Sequence, residues 1–361
     1  MKFYETHYEE YINSMNRYNL HEELVEETNK YPNEVCNFGN MIIYGPQGSG
    51  KYTQVLNIIK KYSNNDLKHD KKITCQTEKH QYTYHISDIH YEIDMSLLGC
   101  NSKILWHEIF FQIIDIISIK PEKIGIILCK NFHSIHAELL ETFYSYMRHC
   151  NNSQSIIQIH FILMTEQLSF IPNNIINNCK IVNINRPLKA KYLNIITENN
   201  TDTEELKTFT QRITDIKQIT TKKDNIMKIC NLVESDGILN LKELRSFSLI
   251  DDSENIPSDI FNIICDKIIK EIVNYEKIVF TEFRDIIYDI LIYNLDIADC
   301  LWYILNYLIK NNCLSSFDIS CVMQKIFIFM KYYNNNYRPI YHLESILFYI
   351  IIRVHKIKNE L

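Results

Sequence analysis

Three of the chain's seven glycines, Gly45, Gly48 and Gly50, fall within six consecutive positions. They lie in the stretch NMIIYGPQGSGKYT, residues 40–53. A chain this poor in glycine concentrates it where the backbone must adopt conformations that other residues resist. Met41-Ile42-Ile43-Tyr44 has the pattern of a short buried strand, and Val55, Leu56 and Ile59 follow at helical spacing. Strand, glycine-rich turn and helix form the setting of a phosphate-binding loop. In such a loop successive N–H groups curl round phosphate oxygens, and the helix N-terminus adds positive potential. Gly45, Pro46, Gln47, Gly48, Ser49, Gly50 and Lys51 make up that loop here, with Lys51 placed to reach the terminal phosphates.

The next position departs from the pattern. A hydroxyl normally follows the lysine and ligates Mg²⁺. This chain has Tyr52 there, and Thr53 comes one place late. A tyrosine oxygen stands several ångströms too far from the backbone to replace a serine. The expectation is nucleotide binding with weakened metal binding; the alternative is a glycine turn that binds nothing.

At 361 residues the chain is long enough for two or three domains, and its 46% hydrophobic content supplies their cores. The net charge of -6 excludes a global basic field that would attract nucleic acid. Any DNA contact must be local or come through a partner. Two small basic patches, Lys68–Lys72 and Lys217–Lys223, read as solvated loops. The eleven cysteines include no CxxC pair, which argues against a zinc ribbon and for buried thiols in a reducing compartment. His90 and His342 have no second ligand at zinc-like spacing, so no metal site is expected of them. Met1–Glu10 is too polar and acidic for a signal peptide, and the longest apolar run, Ile346–Ile352, is too short to span a bilayer.

Taken in order, Glu22–Tyr31 reads as a helix leading into the first strand, and Lys60–His80 as a polar connection. Thr83–Asp94 is an extended segment and Leu105–Ile119 an amphipathic helix. Lys123–Cys129 is a buried strand, His136–His149 a helix, Ile159–Thr165 a second buried strand and Lys180–Ile184 a shorter one. Strands alternating with helices describe an α/β domain with a mainly parallel sheet through residue 186. After Pro187 no convincing strand follows. Residues 187–253 read as short helices. From residue 254 onward come five apolar-periodic helices: Ser258–Asn274, Thr281–Tyr293, Ile297–Asn311, Ser316–Tyr333 and Tyr341–Lys358. The aromatic stretch Phe143–Tyr146 reads as a packing face, with stacking on bases as the alternative.

In an ATPase of this class a second apolar strand ends in an aspartate for Mg²⁺ and a glutamate that polarises water. The corresponding strand here ends Cys129-Lys130-Asn131, and both acids are absent. A lysine in place of a carboxylate reverses the charge there. The combined pattern resembles the small subunits of replication factor C, the AAA+ clamp loader. It is most like the subunit class with a degenerate, non-hydrolysing P loop. GPQGSGKYT, HYEIDMSLLG (90–99), FILMTEQLSFIPNNIINNC (161–179), Glu254–Val273 and IYHLE (340–344) carry the resemblance, in order, from about His21 to the C-terminus.

The resemblance implies an AAA+ nucleotide-binding domain over 1–186, a helical lid over 187–253 and an all-α collar over 254–361. It implies ATP or ADP at Gly45–Thr53, with Mg²⁺ weak or absent. Sensor candidates are Thr165, Glu166 and, in the lid near Gly237, Asn240, with Lys242 a weak substitute. Cys129 and Lys130 are a degenerate Walker B strand end. Asn178, in Asn177-Asn178-Cys179, replaces an arginine finger, and Phe143 and Tyr144 stand where a DNA-facing basic pair is expected. The implied partners are the other subunits of a hetero-pentamer, a sliding clamp and, through the complex, primer–template DNA, with no membrane. The implied location is the site of DNA replication, in a nucleus or a viral replication compartment. Glu344 is expected to pair with Arg338 or Arg353. An active ATPase of helicase-loader or initiator type, using Glu92, Asp94 or Glu166, is the alternative; a scaffold with a vestigial loop is another.

Overall fold

The computed structural model describes residues 7–76, 81–99, 101–150, 156–187, 191, 260–274, 278–333 and 338–357. The chain forms two compact units, Met1–Asp252 and Ser253–Leu361.

In the first unit seven strands build one sheet: β1 Met41–Tyr44, β2 Lys71–Gln76, β3 Gln81–Ile86, β4 His90–Asp94, β5 Ile124–Lys130, β6 Gln158–Thr165 and β7 Lys180–Asn183. Their order is β2-β3-β4-β5-β6-β1-β7. The run from β4 to β7 is parallel. β2 and β3 extend it as an antiparallel edge. The described helices of this unit are α1 Tyr8–Arg17, α2 Glu23–Asn29, α3 Lys51–Lys60, α4 Ser102–Ile119, α5 Ala137–Cys150 and the single turn α6 Asn173–Ile176. This is the α/β fold with a mainly parallel sheet expected of the sequence: β6 separates the loop strand β1 from β5, and the glycine loop leaves the carboxyl end of β1.

The strands are apolar on both faces because both faces are covered. Ile42, Ile127, Cys129, Phe161 and Leu163 pack with α4 and α5, around Trp106, Phe110 and Phe143. Their sequence neighbours Met41, Ile43, Ile126, Leu128 and Ile162 pack instead with Val55, Leu56 and Ile59 of α3 and with Tyr8 and Ile12 of α1. That alternation assigns the polar residues too. In β4, Tyr91 and Ile93 belong to the α4 face, so His90 and Glu92 fall on the face of α1 and α3. In β5, Lys130 continues the parity of Ile126 and Leu128 and falls on the same face.

Three expectations need correction. The connection Lys60–His80 contains strand β2, so Lys71 and Lys72 of the supposed solvated loop lie in the sheet. Thr83–Asp94 is two antiparallel strands joined by a turn at Ser87–Ile89, not one extended segment. Helix α1, buried through Tyr8 and Ile12, precedes the helix anticipated at Glu22–Tyr31. The aromatic stretch on α5 is a packing face: Phe143 is fully buried, and Tyr146 lies edge-on to Phe110 and Trp106. The lid expected over residues 187–253, with Asn240 and Lys242, falls almost entirely outside the described residues.

Among its described residues the second unit holds five helices, as the periodicity indicates: α7 Ile260–Val273, α8 Phe280–Ile292, α9 Ile297–Lys310, α10 Ser316–Tyr333 and α11 Pro339–Val354. Ile268, Phe283, Ile304, Leu305, Leu343 and Leu347 are among its buried core. Glu344 is buried on α11, but its partner is neither Arg338 nor Arg353. Arg284 of α8 donates through Nε and Nη2 to both carboxylate oxygens, and its guanidinium lies 4.5 Å from the Phe280 ring centroid. Arg353 instead faces Asp318. Bidentate geometry satisfies a buried carboxylate that a lone charge could not occupy. Among the described residues no helix is long and apolar enough to cross a membrane.

His90 illustrates how the α1 face is sealed. The ring is fully buried beneath Tyr8, with centroids 4.9 Å apart. The Ser87 hydroxyl oxygen accepts from the backbone N–H of Ile89 and of His90, so its own proton goes to His90 Nδ1, 2.5 Å away. The imidazole is thus held neutral, and burial lowers its pKa from 6.5 to about 4. Between those values the unfolded chain takes up a proton that the folded chain refuses. Stability is therefore highest above pH 6.5 and declines as pH falls towards 4, by roughly 1.4 kcal/mol per pH unit from this residue. Urea unfolding across that range should show a shallower decline for His90→Asn than for the parent chain. Parallel profiles would mean that His90 titrates normally.

Candidate functional site

The glycine loop runs from β1 to the first turn of α3, and each of its glycines answers a geometric demand. Gly48 and Gly50 have φ of 70° and 89°, in the left-handed region that glycine enters without strain. Gly45 has a different reason. A Cβ there would stand 2.1 Å from the carbonyl oxygen of Ile184, the residue after β7, whose own N–H donates to Tyr44 O. The loop is also braced internally. Ser49 Oγ donates to Pro46 O at 2.9 Å, and Gly45 N–H donates to Thr165 O at 3.3 Å. Gln47 is the exposed tip.

Lys51 is buried, and its ammonium donates to Gly45 O at 2.8 Å and Pro46 O at 2.7 Å. Burial lowers its pKa; the charge of Glu166 works against that shift and the charge of Arg186 adds to it. The neighbourhood of the loop therefore holds two cations, Lys51 and Arg186, and one opposing carboxylate. Glu166 also faces His133, 3.8 Å away. Of the two sensor candidates at the end of β6, Glu166 is the one in electrostatic reach of Lys51. The Thr165 hydroxyl donates to Gln167 O and closes the turn after the strand.

Tyr52 and Lys130 meet at one carboxylate. Tyr52 OH donates to Glu92 Oε2 at 2.7 Å, and Lys130 Nζ donates to Glu92 Oε1 at 2.7 Å. The Lys130 ammonium also lies 4.4 Å from the centroid of the Tyr52 ring, and Tyr11 of α1 packs edge-on to that ring at 4.9 Å. Burial, reinforced by the Glu92 charge, raises the Tyr52 pKa far above that of a free phenol, so the phenol keeps its proton. The donor set does not suit a divalent cation. The phenol donates rather than ligates, both Glu92 oxygens are taken, and a fixed ammonium repels a second positive charge. Among the described residues no group of three or more His, Cys, Asp or Glu side chains could hold a metal.

The other acids near the strand ends are also engaged. Asp94 accepts from Asn131 Nδ2 and from Ser96. Cys129 is fully buried, and burial pushes its thiol pKa up, so it is an inert core residue. Thr53 is half-buried on α3. Asn178, the degenerate finger position, is exposed and bonds Tyr144 OH and Asn174 O. Burial raises the Cys179 thiol to about 12, which removes it as a nucleophile.

Sequence reasoning did not anticipate the role of the segment before the loop. His21 is buried, and its Nε2 lies 2.6 Å from Ser49 O; Asn19 Oδ1 accepts from Gln54 of α3. Lys191 donates to Leu20 O at 2.8 Å. The stretch from Asn19 to His21 therefore clasps one side of the loop. Its only sequence signal was a lone histidine ahead of the first strand. Glu92 had a clearer signal, a single carboxylate between apolar residues of a strand.

Neither a protein-family model nor a curated protein matches the chain. Solved structures of RuvB variants from Thermotoga maritima are similar to it. A threonine-to-valine variant is 12% identical over 74% of this chain and 79% of its own, with a TM-score of 0.35. A proline-to-glycine variant is 13% identical over 76% and 81%, with a TM-score of 0.37. At these values the fold class rests on strand order and register.

The close approach at Gly45 yields a direct test. Gly45→Ala places a methyl group into a backbone carbonyl that is fixed by the Ile184–Tyr44 hydrogen bond. The variant should lose on the order of 3 kcal/mol or more in urea unfolding. A change below about 1 kcal/mol would mean that the β7 end moves aside freely.

Proposed function

We propose that this chain binds ATP or ADP at Gly45–Thr53 without hydrolysing it, and does so as an AAA+ small subunit of a clamp-loader type assembly. The observation that carries the reading is the Tyr52–Glu92–Lys130 cluster beside an otherwise complete loop. Phosphoryl transfer to water needs a metal to gather the phosphate charge and a carboxylate to orient the nucleophile. Here the position of the metal-binding hydroxyl carries a tyrosine, and the position of the acid carries its counter-ion. The carboxylate that is present, Glu92, already accepts a side-chain donor on each oxygen. Binding parts and turnover parts have been separated: Lys51 and the glycines remain, and the rest is converted to an ion pair.

In such an assembly the nucleotide acts by linkage. Occupancy at Lys51 stabilises one arrangement of the chain, and with it the contacts to its neighbours, without a chemical step. The neighbours are other subunits of a hetero-pentamer, and the assembly places a sliding clamp on primer–template DNA during DNA replication. Asn178 supplies no charge to an adjoining site. Phe143 is buried and Tyr144 half-buried, so neither offers a basic group to DNA. DNA is met through the complex, in a nucleus or a viral replication compartment.

One observation favours a second reading, a scaffold with a vestigial loop. Lys51 spends both described hydrogen bonds on loop carbonyls. Titration with a fluorescent adenine nucleotide separates the two. The parent chain should bind, Lys51→Ala should weaken binding at least tenfold, or about 1.4 kcal/mol, and neither should release phosphate above background. Efficient release of phosphate that Lys51→Ala abolishes would overturn the non-hydrolysing reading, and no binding by the parent chain would favour the scaffold.

A further inference from the structure

The cluster also sets a cation, paired with a carboxylate, against the residue that follows the loop lysine. Lys130 and Glu92 face the α3 side of the sheet from adjacent strands, as their parity with Leu128 and against Ile93 requires. The Lys130 side chain is 26% exposed and that of Glu92 only 8%, so the ammonium is the outward end of the pair. It rests against the ring of Tyr52, the residue directly after the loop lysine. The phenol on one carboxylate oxygen and the ammonium on the other hold the pair in a single geometry.

A divalent cation in a phosphate loop gathers the negative charge of the polyphosphate on the side facing β5. In this chain a covalently tethered cation, Lys130, stands at the end of β5 against the ring of Tyr52, the residue after the loop lysine. We propose that the Lys130 ammonium, and not a divalent ion, supplies the positive charge on the β5 side of the bound polyphosphate, so that the loop takes its nucleotide as the metal-free anion. The inference rests on the reading that the loop binds nucleotide. Glu92 then has a second role: it positions Lys130 and at the same time attenuates its charge. Removing the carboxylate charge should strengthen the attraction for phosphate, whereas a purely structural ion pair would gain nothing from its loss.

The test is equilibrium titration of the full chain with a fluorescent ADP analogue, in EDTA and in excess magnesium chloride. The expected result is affinities that agree within about threefold in the two conditions. Glu92→Gln should tighten binding in EDTA several-fold. Adding Lys130→Met to that variant should weaken binding about tenfold relative to Glu92→Gln alone. The double variant replaces the pair by neutral side chains and leaves no buried charge unpaired, so it remains usable if Lys130→Met alone fails to fold. Binding that requires magnesium overturns this inference and leaves nucleotide binding standing. Equal affinities for Glu92→Gln and the double variant overturn it as well. Absence of binding in both conditions overturns the inference together with the reading beneath it.

Discussion

A buried carboxylate with two donors ties the phosphate-loop end of the sheet together. Glu92 sits on β4, between strands on either side, with little access to water. An ionised group there is tolerated only with its oxygens satisfied. Tyr52 brings the first turn of α3 to one oxygen, and Lys130 brings the end of β5 to the other. Removing one partner of such a pair leaves a charge stranded, at a cost of about 3 kcal/mol or more. The helix that follows the glycine loop and two neighbouring strands are thereby joined by side chains that a hydrolytic site would reserve for metal and water.

The loop itself is shaped from its flanks. The end of β7 presses on Gly45, Thr165 O receives the Gly45 N–H, and His21 reaches Ser49 from the segment before β1. These are contacts with backbone, which side-chain erosion elsewhere does not disturb. The glycines are thus demanded by packing and by left-handed backbone, whatever the loop binds. Lys51 is the exception, since its ammonium is paired only with loop carbonyls among the described contacts.

The parts of the fold legible in the sequence were those with strong periodicity and burial on all sides. β5 and β6 are near-continuous apolar runs in the middle of the sheet, and α8 to α10 repeat apolar residues at helical spacing. β2 was not legible because it is an edge strand paired only with β3, and its residues are largely polar. α1 was missed because only Tyr8 and Ile12 of its ten residues are buried. At the site, Tyr52 and Lys130 were visible as departures from a motif. Their common partner was not, because Glu92 lies 40 and 38 residues from them and is brought near by parallel strand pairing. The same limit explains Arg284, whose separation from Glu344 hid it behind arginines nearer in sequence.

The departures are not independent of one another, and that bears on how such a site arises. A lysine at the end of β5 without Glu92 beside it would leave an ammonium with no counter-charge against the Tyr52 ring. A tyrosine after Lys51 without Glu92 would bury a phenol hydroxyl with no acceptor. Glu92 with neither partner would be a buried carboxylate facing the loop that is meant to attract phosphate. Restoring an acid at position 130 alone would set it beside Glu92 and Asp94 with Tyr52 still in place, adding like charge and no metal ligand geometry. Each single change is unfavourable and the set is self-consistent, which is the signature of energetically coupled neighbours. The site has thus settled into an arrangement that single substitutions do not reverse.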